Sequence, residues 1–426
     1  MQRKVFQNMI RWKDGNENKP LLLVGPKCVG KTYLANEFGK TYYKRIIYIN
    51  FENQPEMIEL FKKDIDTTTD INKILKNISN TFDFQEEEFS DNSPVLFIFD
   101  EITFLPFYSE IIELFQNSDM TLPVILISST PNDFFDNNID ANRKYMILHI
   151  FSFDFEEFLI AIGYTWYADV IREHYNTNKK LPSIVHNELL SLFELYLKIG
   201  GMPLAINEYL INKNTNNIRE VHRIISDFCI NTLNTGNDDS LLLKIRHVIS
   251  SIHKQLEKEN KKFQYRLIRK GVTKKLYQDA INQIINSNLA IKCSKLIQYS
   301  KDIIQADQDA FKLYHMDVGI LNSNGNELDQ SFRKGVFENY IAQSLVSNGY
   351  EPYFWESNSQ AKIDFVIQKN QLLLPIEVKV DNNTRSKSLS IFHSFFNTKN
   401  SIKVSTRNFE FSNHVKYIPI YAVFCI

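Results

Sequence analysis

The segment "LLLVGPKCVGKTYLANEFG", residues 21–39, constrains the fold of this chain more than any other. Four apolar residues precede a loop with the spacing G-x-x-x-x-G-K-T, in which Gly25, Gly30, Lys31 and Thr32 take the defining positions. Apolar residues follow at helical spacing. A strand, a glycine-bracketed loop and a helix in this order place backbone N–H groups around a phosphate at the helix N-terminus. The pattern therefore predicts a phosphate-binding loop in an α/β domain.

The residue types in this loop predict individual roles. Lys31 is expected to reach the β and γ phosphates of a bound nucleotide, and the Thr32 hydroxyl to ligate Mg²⁺. For Cys28, a small side chain that only fills space is the preferred interpretation. A turn that merely resembles the motif is the alternative for the whole loop. The predicted nucleotide-binding residues here are Gly25, Pro26, Lys27, Cys28, Val29, Gly30, Lys31, Thr32 and Tyr33.

Two further apolar runs end in side chains that suit the same chemistry. "SPVLFIFDEI", residues 93–102, ends in Asp100, predicted to hold Mg²⁺ through water, and Glu101, predicted to polarise the attacking water. A strand ending in two solvated acids is the alternative. "PVILISST", residues 123–130, carries Ser129. If this strand lies between the other two, Ser129 approaches the γ phosphate as a sensor.

Strands that alternate with helices predict the architecture of this region. "RIIYINF", residues 45–51, is a further apolar strand. Strand–helix alternation favours a doubly wound parallel sheet, in which ligands bind at the carboxyl ends of the strands. Further along, "YLKIGGMPLAINEYL" predicts a helix opened by Pro203 within a helical lid, where the double glycine would bring backbone to the nucleotide. An ordinary helix start is the alternative.

The middle of the chain is strongly basic. Residues 244–301 contain 14 Lys and Arg against 3 Asp and Glu, which suits a polyanion partner or a solvated helical surface. The pattern of residues 261–300 predicts a helix, a turn at Gly271, a second helix near Thr273 with Lys274 and Lys275 in its first turn, and short strands around 289–291 and 296–299. This is the order of a winged helix, which binds DNA or serves as a protein–protein module.

The last hundred residues contain a second constellation of charged side chains. Glu377 and Lys379 in "LLLPIEVKV" lie two apart on a predicted strand, and a turn centred between residues 370 and 371 sets Asp364 opposite Glu377. Two carboxylates and an ammonium group suit one Mg²⁺ and a water for phosphodiester attack, with Glu338 from "VFENYIAQSLV" as a further ligand. A hairpin with one charged face is the alternative.

The chain resembles the bacterial and archaeal ATPases of the AAA/STAND class that carry a C-terminal domain of unknown function with a PD-(D/E)xK nuclease-like core. The segments that carry the resemblance are "PLLLVGPKCVGKTYLANEF", "YINFE", "FIFDEITFLP", "FSFDFEEFLIAIGY", "LYLKIGGMPLAINEYL", "FKLYHMDVGIL", "GVFENYIAQSLVSNGYEPYFW", "IDFVI" and "PIEVKV". The family commonly has Arg-Gln at Lys27 and Cys28 and Gln at Thr103. It usually has Glu at Lys362, which raises the alternative of a scaffold that no longer cuts.

The resemblance implies four domains in chain order. They are a P-loop ATPase core (1–165), a helical lid (166–235) with Pro203 near the nucleotide, a winged-helix-like basic domain (236–325) and a restriction-endonuclease-like domain (326–426). Arg143 is the positional candidate for an arginine finger, with a surface arginine as the alternative.

The expected function combines these parts. The chain would hydrolyse ATP with Mg²⁺ and couple nucleotide state to binding or processing of double-stranded DNA. The alternative is a nucleotide-dependent switch whose inactive nuclease-like domain docks a protein partner. Four cysteines without paired spacing favour a reducing cytoplasm, and the absence of an 18-residue apolar run argues against a membrane span.

Overall fold

The computed structural model describes residues 3–15, 19–61, 71–83, 95–118, 122–130, 144–233, 238–300, 303–324, 330–357, 361–380 and 387–426. The chain separates into two compact units, which we call the N-terminal unit (Gln2–Phe151) and the C-terminal unit (Ser152–Ile426). No single helix among the described residues has the length and apolar character to cross a membrane; one bent pair, Ser183–Ile199 with Pro203–Asn212, meets the length and composition criteria.

The N-terminal unit is built on a five-stranded sheet in which all pairings are parallel. Its strands are β1 (Leu21–Val24), β2 (Arg45–Asn50), β3 (Val95–Asp100), β4 (Val124–Ser128) and β5 (Met146–His149). Its helices are α1 (Phe6–Asp14), α2 (Lys31–Tyr42), α3 (Ile71–Phe82) and α4 (Tyr108–Gln116), with 3-10 helices at Pro55–Phe61 and Ile102–Phe104. The strand order is β2-β3-β4-β1-β5, so β4 lies between β1 and β3, which is the arrangement that the role predicted for Ser129 requires.

The apolar runs of this sheet follow from burial on both faces. Every residue of β1, β3 and β4 is buried, which is why these strands read as continuous aliphatic or aromatic runs without alternation. Phe99 packs edge-to-face with Phe61 and Phe115, at centroid distances of 5.6 and 5.5 Å. The parallel sheet therefore brings the polar residues that follow β1, β3 and β4 to one edge.

The C-terminal unit combines helices with an eight-stranded mixed sheet of order β12-β13-β11-β10-β9-β8-β6-β7. Its strands are β6 (Ala290–Ser300), β7 (Ile303–His315), β8 (Tyr353–Glu356), β9 (Lys362–Lys369), β10 (Leu372–Val378), β11 (Ser401–Ser405), β12 (Glu410–Ser412) and β13 (Val415–Pro419). Its helices are α5 (Phe155–Ala161), α6 (Thr165–Thr177), α7 (Ser183–Ile199), α8 (Pro203–Asn212), α9 (Ile218–Asn231), α10 (Asp239–Leu256), α11 (Lys274–Asn286), α12 (Val318–Ser323), α13 (Gln330–Ser347) and α14 (Lys387–Phe396), with 3-10 helices at Tyr265–Leu267 and Ile420–Cys425.

Two local predictions in the basic middle were wrong. The helix predicted before Gly271 is only the 3-10 helix Tyr265–Leu267, because the preceding backbone pairs elsewhere: the Phe263 N–H donates to the Phe311 carbonyl at 2.8 Å. The two short strands predicted at 289–291 and 296–299 are one strand, β6, whose apolar pattern is broken by two register shifts.

The sheet also crosses a predicted domain boundary. Strand β6 pairs in parallel with β8, through Ser294 opposite Tyr353 and Lys295 opposite Phe354. The hairpin of the basic middle thus belongs to the same sheet as the strands of the last hundred residues. The four-domain division stays a prediction, and the position near residue 325 does not coincide with a break in this sheet.

Candidate functional site

The loop between β1 and α2 has the backbone that a phosphate cradle needs. A Cβ on Gly25 would lie 2.0 Å from the Ile150 carbonyl oxygen, so only glycine fits beside β5. Gly30 has φ of 93°, a left-handed conformation that favours glycine, and it directly precedes α2. The loop therefore ends at the N-terminus of a 12-residue helix, where the helix dipole favours an anion.

Lys31 and Ser129 meet at this loop. The buried Lys31 Nζ donates to the carbonyl oxygens of Gly25 and Pro26, each at 2.9 Å, and to Ser129 Oγ at 2.9 Å. Ser129 directly follows β4, so the strand order brings its hydroxyl to the predicted phosphate position. The structure therefore places the predicted phosphate lysine and the predicted sensor in direct contact.

Thr32 and Asp100 form the second contact of the site. Thr32 Oγ1 donates to Asp100 Oδ2 at 2.6 Å, and the Glu101 N–H donates to Asp100 Oδ1 at 2.9 Å. A hydroxyl and a carboxylate are the oxygen ligands that Mg²⁺ prefers, and phosphates and water normally supply its remaining ligands. This donor set fits the metal of a nucleotide site.

Glu101 lies directly beside this pair, in a left-handed backbone conformation with φ of 50°. Its Oε1 accepts from Ser129 Oγ at 2.5 Å, and its Oε2 accepts from the Ser129 N–H at 3.3 Å. Lys27 Nζ lies 3.9 Å from Glu101 Oε1 and donates to both Glu52 carboxylate oxygens, at 2.6 and 2.7 Å. The Ser129 hydroxyl thus bridges Lys31 and Glu101.

Tyr48 is a site residue that sequence reasoning missed. Its hydroxyl on β2 donates to Asp100 Oδ2 at 2.9 Å. Burial raises the pKa of Tyr48 to about 12, and the nearby Asp100 charge contributes to this increase. The hydrogen bond with Asn50 acts in the opposite direction and lowers the pKa. The phenol is therefore a donor at neutral pH. The available signal was a pair of polar side chains, Tyr48 and Asn50, on one face of an otherwise apolar strand.

The double glycine before α8 is explained by packing within the C-terminal unit. A Cβ on Gly201 would lie 2.0 Å from the Phe153 carbonyl oxygen, and one on Gly200 would lie 2.2 Å from Asp317 Oδ1. The Gly201 N–H donates to Asp317 Oδ2 at 2.8 Å. Pro203 opens α8 as predicted. Its approach to a nucleotide stays a prediction, and Arg143 lies outside the described residues.

The positive charge of residues 244–301 is partly neutralised by acids outside that segment. Four of its cations form such ion pairs: Arg246 with Asp227, Lys261 with Glu338, Lys262 with Glu356, and Lys274 with Asp309. Thr273 is the N-cap residue of α11, so the second helix begins where it was predicted, and the Thr273 side chain makes no capping hydrogen bond. Lys275 lies in the first turn of α11 and is exposed. Three cations that precede the helix are exposed as well: Arg266, Arg269 and Lys270.

The hairpin of β9 and β10 has the predicted register. Paired positions run from Leu372 opposite Lys369 to Ile376 opposite Phe365, and the turn residues 370 and 371 both have positive φ, 50° and 61°. One step beyond, Asp364 comes opposite Glu377, and the Val378 N–H donates to Asp364 Oδ2 at 2.8 Å.

Helix α13 adds Glu338 to the same cavity, and Lys379 lines it as well. The structure therefore brings the four predicted residues together. Lysines already occupy the carboxylates: Lys334 Nζ lies 3.1 Å from Asp364 Oδ1, and Lys379 Nζ lies 3.1 Å from Glu377 Oε1. In the described part of the chain, no group of three or more His, Cys, Asp and Glu side chains could hold a metal ion. This donor set does not fit the metal that a nuclease of this type uses.

A parallel sheet of this order, with a phosphate-type loop after one strand and an Asp–Glu pair after another, defines the P-loop ATPase class. Residues 17–159 match the family model described as an AAA domain. This match supports an AAA-type ATPase domain over these residues. Residues 190–330 and 333–423 match two domains of unknown function, DUF8612 and DUF4143. No curated protein matches this sequence.

Three solved structures that match this chain share little sequence with it. The Walker-type ATPase PABY2304 of Pyrococcus abyssi is 13% identical, with 76% of this chain and 95% of that chain covered and a TM-score of 0.42. Cdc6p from Pyrobaculum aerophilum is 12% identical, with 75% and 88% covered and a TM-score of 0.26. The Aeropyrum pernix ORC1 protein in complex with DNA is 12% identical, with 80% and 92% covered and a TM-score of 0.29. Similarities this low support no functional inference.

Proposed function

We propose that this chain binds ATP with Mg²⁺, hydrolyses it, and couples its nucleotide state to the binding or processing of double-stranded DNA. The observation that carries the ATPase part is the contact of Thr32 Oγ1 with Asp100 Oδ2 at 2.6 Å, directly beside Lys31. It puts the two predicted metal ligands next to the lysine expected to neutralise phosphate charge.

The side chains of the site divide the work of phosphoryl transfer. Lys31 neutralises charge on the β and γ phosphates, and Glu101 polarises the attacking water. Thr32 and Asp100 hold the Mg²⁺, which supplies further neutralisation of the phosphate oxygens. Ser129, now between Lys31 and Glu101, exchanges its hydrogen bonds when a γ phosphate arrives, so it reports the presence of that phosphate to Glu101.

Steady-state ATP turnover by the full chain tests this part. Lys31→Ala is expected to lower kcat by roughly 10²- to 10³-fold, the usual effect of losing one donor to developing charge. Lys40→Ala is the matched control, because this exposed lysine lies on the same helix away from the loop. The ATPase assignment would be refuted if wild type and Lys31→Ala turned over ATP equally and calorimetry detected no binding of ATP to the wild-type chain.

The DNA part of the proposal rests on the exposed cations around α11. The cluster of Arg266, Arg269, Lys270 and Lys275 keeps its positive charge exposed, while Lys274 is paired with Asp309. Such a cluster suits phosphate contacts that carry no base specificity. Lys275→Glu combined with Arg269→Glu is expected to abolish stimulation of ATP turnover by duplex DNA, whereas Lys254→Glu, an exposed lysine on α10, leaves stimulation unchanged.

The second candidate is a nucleotide-dependent switch whose nuclease-like domain is inactive and docks a protein partner. Lysines bound to Asp364 and Glu377 favour this candidate, because they occupy the carboxylates that would hold a catalytic metal. Tight ATP binding with rare turnover and no stimulation by DNA would favour the switch; fast DNA-stimulated turnover would exclude it.

A further inference from the structure

Asp364 and Glu377 line a cavity of the C-terminal unit that contains many lysines. Its volume is about 270 Å³, and its lining contains five lysines and five carboxylates. Two further lysines, which do not line the cavity, form ion pairs with two of these carboxylates. Lys262 Nζ lies 2.6 Å from Glu356 Oε2, and Lys403 Nζ lies 3.5 Å from Glu377 Oε2. Among the residues that the structure describes, seven ammonium groups and five carboxylates thus lie in or next to this cavity. The lysines of the lining are Lys261, Lys312, Lys334, Lys362 and Lys379.

The deepest part of the cavity is closed by ion pairs with Glu338. The Nζ atoms of Lys261, Lys312 and Lys334 lie 3.3, 3.4 and 3.7 Å from its carboxylate oxygens, and Tyr314 OH donates to Oε2 at 3.0 Å. Burial by itself raises the pKa of Glu338, but the three lysines outweigh it and hold the pKa at about 2. Glu338 is therefore ionised, and its carboxylate oxygens already face three ammonium groups.

The carboxylates of Asp364 and Glu377 also form ion pairs with lysines. Lys334 Nζ forms an ion pair with Asp364 Oδ1, and Asp364 Oδ2 accepts a hydrogen bond from the Val378 N–H. Lys379 and Lys403 approach the two oxygens of Glu377, although the buried Glu377 Oε2 accepts no hydrogen bond from the part of the chain that the structure describes. A divalent cation would have to enter beside ammonium groups that already occupy its place, and like charges at this distance repel strongly in a buried site.

Three of the five lining lysines lie where solvent reaches the cavity. The side chains of Lys334 and Lys379 are 37% and 31% exposed, and Lys362 is exposed as well. No ion pair joins the Lys362 ammonium to any residue that the structure describes. Three partly exposed ammonium groups around one cavity match the charge and hydrogen-bonding needs of a phosphate group.

We propose that this cavity binds a phosphodiester group of a DNA strand through Lys334, Lys362 and Lys379, without a metal ion and without cleaving it. The buried lysines then take the neutralising role that a metal would have in a nuclease, and the partly exposed lysines hold the strand. This inference rests on the DNA part of the proposed function but not on ATP hydrolysis.

Binding of a short fluorescein-labelled DNA duplex to the full chain, followed by anisotropy over a range of salt concentrations, tests the inference. Affinity is expected to be equal within about twofold in EDTA and in Mg²⁺. Lys362→Gln is expected to lower the slope of log affinity against log salt by about 1, because one phosphate contact is lost. Lys399→Gln, which removes an exposed lysine outside the lining, should leave the slope unchanged.

The failures of the two proposals are distinguishable. No binding of the duplex by wild type would refute the DNA part of the proposed function and this inference with it. Binding by wild type with an unchanged slope in Lys362→Gln, and a reduced slope in Lys275→Gln, would overturn the cavity site alone. Asp364-dependent cleavage in Mg²⁺ or Mn²⁺ would also overturn it.

Metal exclusion has its own readout. In an Asp100→Asn chain, which lacks the carboxylate of the ATPase metal, the electron paramagnetic resonance of Mn²⁺ is expected to report only free ion. Adding Lys334→Met and Lys362→Glu uncovers Asp364 and supplies a neighbouring carboxylate, so this variant is expected to bind Mn²⁺. Bound Mn²⁺ in the Asp100→Asn chain that is lost on Asp364→Asn would overturn the inference, and circular dichroism would verify that each variant is folded.

Discussion

Replacing Glu338 by glutamine is the sharpest test of the ion-pair network in the C-terminal unit. Glu338 is 1% exposed and faces three lysines, so its loss leaves buried ammonium groups without their counter-ion. The lysines hold its pKa at about 2 against an ordinary value of 4.5, even though burial alone would raise it. At about 1.4 kcal/mol per pKa unit, this difference corresponds to about 3 kcal/mol. Breaking a buried ion pair by removing one partner costs roughly 3–5 kcal/mol, which agrees.

Calorimetry of the full chain measures the effect. A loss of about 3 kcal/mol is expected to lower the transition of the C-terminal unit by roughly 6–12 °C, since a domain of this size loses about 2–4 °C per kcal/mol. Glu173→Gln is the matched control: Glu173 is exposed on α6, and its change should stay within about 0.5 kcal/mol. Adding Lys312→Met to Glu338→Gln should cost less than the sum of the two single changes, because it removes one stranded cation.

The pH dependence has a definite sign. Because the pKa of Glu338 is lower in the folded chain, its contribution to the free energy of unfolding is fully present above the unfolded pKa, near 4.5. It is lost as the pH falls toward about 2. The gap between wild type and Glu338→Gln should therefore be constant near neutral pH and shrink below about pH 4.5. If Glu338→Gln and wild type unfold at the same temperature at pH 7, the ion-pair network is not a source of stability.

Three further changes probe other contacts. Tyr48→Phe removes a hydrogen bond to the Asp100 carboxylate worth about 1.5–3 kcal/mol, so the Mg²⁺ concentration for half-maximal ATP turnover should rise about tenfold or more; an unchanged Mg²⁺ dependence would contradict the positioning role. Ser129→Ala removes the bridge between Lys31 and Glu101 and should lower kcat with little change in the ATP dissociation constant; equal losses in both would assign it to binding. Gly201→Ala forces a Cβ to within 2.0 Å of the Phe153 carbonyl oxygen and should lower the melting temperature of the C-terminal unit by several degrees, whereas a neutral result would mean that the backbone there can shift.

Local sequence was sufficient for the elements that depend on neighbours in the chain. The loop from Gly25 to Thr32 could be predicted because its glycine positions are set by backbone geometry and close approach, which act within a few residues. Buried parallel strands are apolar throughout, so β1, β3 and β4 were visible as uninterrupted runs. The register of β9 with β10 followed from a two-residue turn, which sets pairing locally.

Predictions failed where distant contacts competed with local preference. Residues 263–268 carry apolar side chains at spacings that suit a helix, yet the backbone at Phe263 pairs with Phe311 and that at Gln264 with the Gln255 side chain. These hydrogen bonds hold the backbone extended up to Gln264, where the short 3-10 helix begins. Propensity is a weak preference that such tertiary hydrogen bonds override.

The sequence by itself determined that a phosphate-type loop and an Asp–Glu pair would each follow a buried strand of one parallel sheet, and that Asp364 would face Glu377. Tertiary structure alone decided which side chains meet them. Lys31 and Ser129 are 98 positions apart, and the lysines that contact Glu338 come from β7, α13 and the segment after α10. Charge pairing depends on distance in space, and a chain written in one dimension does not carry that distance.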